Sequence, residues 1–437
     1  MRETNINSYP TWFRSSTPYI SAHRGKTFVV HLSGEGLESE NLEYIIQDLA
    51  LLHVLGVKII LVHGARPQLN SALENTRLHK STRITSEKDM EAILSIHGVL
   101  RSRIEGMFSA GLPSSPLHKV EIAVVSGNFI TAKPMGIIDG IDHLLTGETR
   151  RVNTEKIHEI LDGNGLILMS PIGYSPSGQP YNLSSAELAS QVAVTVASDK
   201  LIMFDPNGYI SDRNGEQLTE ITPAEASVLV NSTSEVSSKN IDAMIRATRG
   251  GVPRSHLVSF NQDGALLGEL FTALGQGTQM TESHHKLIRK ATPLDLAGII
   301  ALIRPLEESG ILVYRSRNRL EQEIDQFLVA DVDGFVAGCC AVYPFDDQAE
   351  LACIATHPSY RHPEYKLGLG SKLLDAAEET AKRDGKKDLF VLTTQTTDWF
   401  LEHGFTLISS DALPGKKKAL YNYQRNAETL IKPLITK

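Results

Sequence analysis

Two apolar runs, TFVVHL at residues 27–32 and VKIILV at residues 57–62, constrain this chain more than anything else in it. Each is too short and too β-branched for a helix, and neither alternates with polar residues. Continuous apolar strands of this kind are at home in a sheet covered on both faces. Between them Leu42, Ile45, Ile46, Leu49 and Leu52 recur at helical spacing, and Gly56 ends that helix. A strand, a helix and a second strand in this order pair their strands in parallel. The pattern returns in LILMS (166–170), in a helix over SSAELASQVAVTVAS (184–198), and in KLIMF (200–204) and HLVSF (256–260). Ser184 and Glu187 have capping-box spacing at the start of that helix. Residues 1–280 therefore read as one α/β domain built on a doubly wound sheet.

A polar stretch without periodicity follows, and a linker is expected at 281–288. The pattern then changes. IRKATPLDLAGIIALIRPLEESG reads as a strand and a helix, FLVADVDGFVAGCCAVYPF as a hairpin turning at Asp333-Gly334, and AELACIATHP as another strand. GSKLLDAAEETAKRDG (370–385) is an amphipathic helix with Leu373, Leu374, Ala377 and Ala381 on one face. KKDLFVLTT and DWFLEHGF add a strand and a short helix, so residues 289–437 read as a compact α+β domain. At 437 residues the chain is too long for a single core.

Bulk properties exclude several functions. A net charge of −8 gives no electrostatic case for nucleic acid or an anionic membrane. The run Lys416-Lys417-Lys418 reads as solvated surface. Three cysteines, Cys339, Cys340 and Cys353, have neither disulfide-scaffold density nor metal-site spacing, so no metal is expected. They read as small buried apolar residues in a reducing compartment. The polar N-terminus is unlike a signal peptide and no run reaches the length of a membrane helix, so a cytoplasmic protein is expected.

One turn carries chemistry. In YRHPEYKLGLGSKLL, Gly368 and Gly370 stand at a helix start, where free N–H groups and the helix dipole favour an anion. With its preceding strand and hairpin, this turn resembles the acyl-CoA signature of the GNAT N-acetyltransferases, Q/R-x-x-G-x-G/A. Tyr365 departs at the first position, and Lys366 supplies a charge beside it. The resemblance implies acetyl-CoA as co-substrate, with no tightly bound cofactor. Its pantetheine would pair with the strand holding Cys353, Ile354, Ala355 and Thr356, as a strand added to an open edge.

GILVYRSRNRLEQEI, ELACIATHP, LFVLTT, DWFLEHGF and LPGKKKALYNYQRNA together resemble the N-acetylglutamate synthase family, which acetylates L-glutamate at the first step of arginine biosynthesis. The resemblance covers nearly the whole chain. It implies that Glu350 takes the proton from the α-amine, directly or through water. Thr393 or Tyr421 would protonate the departing thiolate. Arg315 and Arg425 would hold the substrate carboxylates, a task suited to guanidinium forks, with backbone contacts from Leu392. Ala427 stands where some relatives have Ser.

The first domain resembles the amino-acid kinase fold, acetylglutamate kinase in particular. Kinase relatives read roughly IKYGG and HGGGPQ, where this chain has VHLSG and HGARPQ. His31 thus stands at a phosphate-binding lysine position, Asn240 near a second, and Glu187 at an aspartate position. Phosphoryl transfer depends on counter-charge, so these replacements argue against a kinase. Arginine-inhibited members of that family imply an L-arginine site at Tyr19, Lys200, His256 and Glu269, with Gly275 and Gly277 admitting close backbone. The expected activity is therefore an arginine-inhibited glutamate N-acetyltransferase in a homo-oligomer, plausibly a hexamer. The alternative is an acyl-amino-acid kinase with an inert C-terminal domain.

Overall fold

The computed structural model describes residues 8–73, 77–110, 118–212, 214–230, 234–272, 275–282, 288–332, 335–360, 368–418 and 427–434. Tyr365, Lys366, Tyr421 and Arg425, the Asp333-Gly334 turn and most of the expected linker lie outside these residues. The chain divides into two compact units, Met1–His284 and His285–Lys437.

The first unit is built on the expected doubly wound sheet. Its strands are β1 (Thr27–Leu32), β2 (Lys58–His63), β3 (Ala123–Val125), β4 (Gly165–Met169), β5 (Lys200–Asp205), β6 (Glu220–Ile221), β7 (Arg254–Ser259) and β8 (Thr278–Met280). Their spatial order is β6-β8-β7-β5-β1-β2-β4-β3. β1 pairs in parallel with both β2 and β5, whereas β8 runs antiparallel to β7 and carries β6 parallel to itself, so these two strands run opposite to the rest. β1 and β2 are buried along nearly their whole length, which is why they carry no polar alternation. The helices include α1 (Ser8–His23), α2 (Leu42–Val54), α3 (Arg66–Ala72), α4 (Glu87–Phe108), α5 (Thr154–Asp162), α6 (Ser185–Thr195), α7 (Glu235–Arg249) and α8 (Ala265–Phe271). Ser86 and Asp89 close a capping box on α4. α2 buries Leu42, Ile45, Ile46, Leu49 and Leu52, and Gly56 takes φ +94° just beyond it.

Local details depart from the sequence reading. α6 ends at Thr195, short of 198, because Ala197 adopts φ +51° and cannot continue a right-handed helix. Its expected capping box is half made. The Ser184 hydroxyl accepts from the Glu187 amide at 3.5 Å, but the Glu187 carboxylate turns to Arg246. β7 starts two residues earlier than its apolar run. Ser255 there is fully buried and is satisfied by the Thr248 hydroxyl at 3.0 Å, so polarity conceals a core position.

Among its described residues the second unit has seven strands: β9 (Ile288–Lys290), β10 (Phe327–Val332), β11 (Phe335–Phe345), β12 (Gln348–Thr356), β13 (Asp388–Thr393), β14 (Thr406–Ile408) and β15 (Glu428–Pro433). Their order is β9-β10-β11-β12-β13-β15-β14. β12 and β13 are the parallel pair, and α10 (Leu369–Arg383) crosses between them. α10 buries Leu373, Leu374, Ala377 and Ala381, the face the spacing predicts. α9 (Leu296–Glu308) covers the core of Phe327, Val329, Cys339 and Ala341. The unit also contains α11 (Thr397–Glu402) and a single turn, α12 (Gly415–Lys418). All three cysteines are free and buried.

Candidate active site and regulatory cluster

The second unit owes its site to a fault in its sheet. β11 and β12 lose register between Cys339↔Ala355 and Ala341↔Ala352, so two residues of β12 face one of β11. That is a β-bulge, and Cys353 within it takes φ +52°. A bulge bends its strand. Among the described residues, the parallel pairing of β12 with β13 runs from Gln348↔Asp388 to Leu351↔Val391 and stops there. The stretch Cys353, Ile354, Ala355, Thr356 thus leaves β13 and has an edge on which an extended ligand can be hydrogen-bonded.

Glu350 sits where the strands begin to part and is only 6% exposed. Its carboxylate meets the Lys417 ammonium at 2.6 Å. This corrects the reading of Lys416-Lys417-Lys418 as solvated surface at Lys417, whose side chain is 19% exposed, while Lys418 is exposed as expected. Arg315 is likewise buried. Its backbone N–H donates to Glu307 at 2.9 Å, its Nη1 donates to the Val313 carbonyl at 2.9 Å, and its Nε is buried without a partner. Its charge is felt at Cys353, Tyr343 and Glu350. Arg315 and Glu350 are thus both buried in this unit and within electrostatic reach of one another, although 34 residues separate them in sequence.

Thr393 ends β13, three residues beyond the Glu350↔Phe390 row, or about 10 Å along the strand. Its hydroxyl accepts from the Thr396 and Gln395 amides and lies 2.8 Å from the Thr396 hydroxyl. It therefore holds the turn that follows β13. Leu392 lies beyond the last β12–β13 pair, with its register partner Thr429 on β15.

At the start of α10, Gly368 is left-handed (φ +51°, ψ +35°) and supplies no side-chain cap. The first helical amides have no intrahelical acceptor, the arrangement that receives phosphate oxygens. Ser371 in the first turn is 2.9 Å from His403 Nε2, and His403 Nδ1 donates to the Trp399 carbonyl at 2.8 Å. The two glycines differ. A Cβ on Gly368 would meet nothing within 4 Å, so Gly368→Ala is strained by backbone conformation alone and is expected to cost roughly 1–2 kcal/mol. At Gly370 the added Cβ would lie 3.4 Å from Trp399 in an ordinary conformation, and Gly370→Ala should cost less. Thermal denaturation of the two variants checks this, and equal shifts would contradict it.

In the first unit, the glycine loops after β1 and β2 touch one another. A Cβ on Gly34 would lie 2.5 Å from Pro67 Cδ, and one on Gly64 would lie 2.8 Å from the Gly34 nitrogen. Beside them is a cavity of about 330 Å³ lined by His31, Arg66, Asn240 and Arg246 among others. His31 is bonded to Ser185 at 3.0 Å; burial, then His63, lower its pKa to about 3. It is neutral and supplies no counter-charge. Arg66 is tied to Glu235 at 2.6 Å, and Asn240 donates to Asp205 and to the Phe204 carbonyl. His31 and Asn240 are thus neutral, and Arg66 is already paired.

The expected arginine residues form a cluster. The Lys200 ammonium donates to His256 Nε2 at 3.3 Å, so Nδ1 carries the hydrogen and donates to Glu269 at 2.6 Å. Burial pushes the Glu269 carboxyl up, but His256 and the amides of Gly277 and Gln276 outweigh it and hold it below the usual range. Of the glycines here, Gly275 admits Glu269 itself and Gly277 admits the Leu257 carbonyl. A Cβ on Gly275 would lie 2.3 Å from the Glu269 carboxylate, and one on Gly277 would lie 2.0 Å from the Leu257 carbonyl. Tyr19 is buried on α1, which packs on α8, the helix holding Glu269; His23 of α1 donates to the Leu270 carbonyl.

Sequence reasoning missed Lys417 and Glu307. A triple-lysine run carries no signal for which lysine turns inward, and Glu307 looks like any acid at the end of an amphipathic helix. Among the described residues no helix is long and apolar enough to cross a membrane, and no group of three or more His, Cys, Asp or Glu is placed to hold a metal.

Comparisons with known proteins agree with this division. The Amino acid kinase family model matches residues 26–259, and the Acetyltransferase (GNAT) domain model matches residues 323–407. The amino-acid acetyltransferase of Azotobacter vinelandii is 44% identical over 436 residues, covering 98% of this chain and 100% of the relative. That of Vibrio cholerae is 45% identical over 435 residues, covering 96% and 97%. N-acetylglutamate synthase from Neisseria gonorrhoeae, solved with coenzyme A and L-arginine, superposes with a TM-score of 0.85 at 33% identity, covering 98% of this chain and 100% of that one. The same enzyme solved with coenzyme A and N-acetyl-glutamate gives a TM-score of 0.63 at the same identity and coverage. The chain belongs to the amino-acid acetyltransferase family: it is an N-acetyltransferase in which an amino-acid-kinase-type unit precedes a GNAT unit.

Proposed function

We propose that this protein transfers the acetyl group of acetyl-CoA to the α-amine of L-glutamate, and that L-arginine inhibits it through the first unit. The carrying observation is a buried carboxylate, Glu350, paired with Lys417 where β12 and β13 part, in the same unit as a buried arginine, Arg315, whose charge reaches it. The pantetheine lies along Cys353–Thr356 and the diphosphate on the α10 amides at Gly368 and Gly370, with Lys366 adding charge. Arg315 and Arg425 hold the glutamate carboxylates, and the backbone at Leu392 completes the contact. Glu350 takes a proton from the α-ammonium, the nitrogen attacks the thioester carbonyl, and the C–S bond breaks as the C–N bond forms. The thiolate is protonated from Thr393 or Tyr421. Complexes of the Neisseria enzyme with coenzyme A, N-acetyl-glutamate and L-arginine support this choice of ligands.

The test measures release of free CoA with and without glutamate, beside release of ADP from ATP. Glutamate-dependent CoA release without ADP is expected. ADP release alone would return the kinase reading, against which neutral His31 and paired Arg66 already argue.

The first unit, extending to about residue 280, is the regulatory domain in this reading. Arginine sits in the cluster of Tyr19, Lys200, His256, Glu269, Gly275 and Gly277, its guanidinium on Glu269. Glu269→Ala is expected to raise the arginine concentration needed for half-inhibition at least tenfold, since a charge-assisted hydrogen bond contributes roughly 1.5–3 kcal/mol. Unchanged inhibition would remove Glu269 from the site. The same reading carries a cytoplasmic setting and a homo-oligomer, plausibly a hexamer, which light scattering tests.

A further inference from the structure

We propose that Lys417 is a positioning residue for acetyl transfer, the resident counter-ion of the buried Glu350 carboxylate, and that the acidic limit of the reaction depends on this pair. The proposal rests on Glu350 being the proton acceptor.

The geometry carries it. Glu350 and Lys417 meet at 2.6 Å with side chains 7% and 19% exposed. The Lys417 ammonium also lies 6.0 Å from the centre of the Phe345 ring, so one side of the pair is apolar. A carboxylate enclosed this way, with no cation beside it, binds a proton and can no longer accept one from an ammonium.

The other groups around Glu350 do not do this work. Cys353, on the same strand, is a neutral thiol that burial, first among several influences, pushes up to about 11. Tyr343, its register partner on β11, donates its hydroxyl to Glu323 and is held protonated by burial and by that bond. Arg315 approaches from the segment after α9, but its located hydrogen bonds go to Glu307 and the Val313 carbonyl. Among the described residues, the ion pair to Glu350 comes from Lys417.

The substrate α-ammonium has the same charge and donor geometry as the Lys417 head group. On binding it enters a site whose acceptor is already paired with a cation. The proton passes from the amine nitrogen to the carboxylate, and the charge lost at nitrogen is matched at Glu350.

The test is the pH dependence of kcat/KM for glutamate in full-length Lys417→Met and Lys417→Arg, over roughly pH 5.5–9. Lys417→Met should move the acidic limb up by about one pH unit or more, a loss of about tenfold at a fixed pH on the limb, with activity regained in alkali. Its KM for acetyl-CoA should stay at the wild-type value. Lys417→Arg, which keeps the charge, should leave the limb near its original place. An acidic limb unmoved in Lys417→Met overturns the proposal, whether turnover falls evenly or not at all. Should Lys417→Met fail to fold, the double variant with Glu350→Gln decides. Regained folding supports the counter-ion role because no buried charge is left unpaired, and continued loss overturns it. Wild-type turnover by Glu350→Gln would sink the proton-acceptor reading itself. A fixed limb with Glu350→Gln inactive sinks the role of Lys417 alone.

Discussion

Glu350→Gln is expected to lower kcat for glutamate acetylation by about 10²–10⁴-fold while leaving coenzyme A affinity within a few-fold of wild type. The amide keeps the size and hydrogen-bonding reach of the carboxylate but cannot take a proton from the amine. The edge proposed for coenzyme A, by contrast, is backbone of β12 beyond the bulge, which the side-chain change does not touch. The substitution also strips Lys417 of its anion, and removing one partner of a buried pair costs about 3–5 kcal/mol. Turnover must therefore be measured on protein whose melting transition and calorimetric coenzyme A binding are intact. A kcat within threefold of wild type would remove Glu350 from the chemistry. Arg315→Ala provides the contrast. It should raise KM for glutamate more than KM for acetyl-CoA, because it removes a substrate counter-charge and leaves the proton acceptor in place.

The second large effect is acid lability of the first unit. His31, His63 and His97 are buried there, with pKa values brought down to about 3, 4 and 3, burial being the leading cause in each. His97 has no partner at either ring nitrogen. All three favour the neutral form when folded, whereas an unfolded histidine titrates near 6.5. Their stabilisation is complete above about pH 6.5 and drains as pH falls toward their folded values. At pH 5 each loses about 2 kcal/mol, so the three together lose about 6 kcal/mol. His53, also lowered by burial, acts in the same direction.

Asp48 opposes them. Burial and then Asp263 raise its carboxyl to about 7, so the folded state gains a proton as pH falls. Discounted for its partial exposure, that returns roughly 1–2 kcal/mol. The histidines win, leaving a net loss of about 4 kcal/mol against a typical total of 5–15 kcal/mol. Denaturant midpoints at pH 7.5 and 5.0 measure it, and equal midpoints would refute the account. His97→Phe should remove about a third of the histidine contribution.

How much of this was legible in the sequence depends on the range of the physics involved. The central strands and α2 follow from apolar runs and 3.6-residue spacing, because a residue's burial in a regular element is set by its near neighbours in sequence. Short polar-looking core positions were not legible: Ser255 is buried because a hydroxyl on a neighbouring helix, Thr248, satisfies it. The turn at Gly368 and Gly370 announces itself because its signal is local, two glycines at a helix start. Residue roles at the site came from family resemblance, since no spacing rule joins Arg315 to Glu350.

By itself the sequence determined two units, the parallel central strands of the first and the amphipathic crossover helix of the second. Those depend on residue identity and local periodicity. Only the tertiary structure decided that β12 bulges at Cys353 and parts from β13, that Glu350 is enclosed against Lys417, and that Glu269 is held through His256 by Lys200. Each is an electrostatic or hydrogen-bonded meeting of groups distant along the chain. Its strength comes from exclusion of water, and water is excluded only once the surrounding elements have packed.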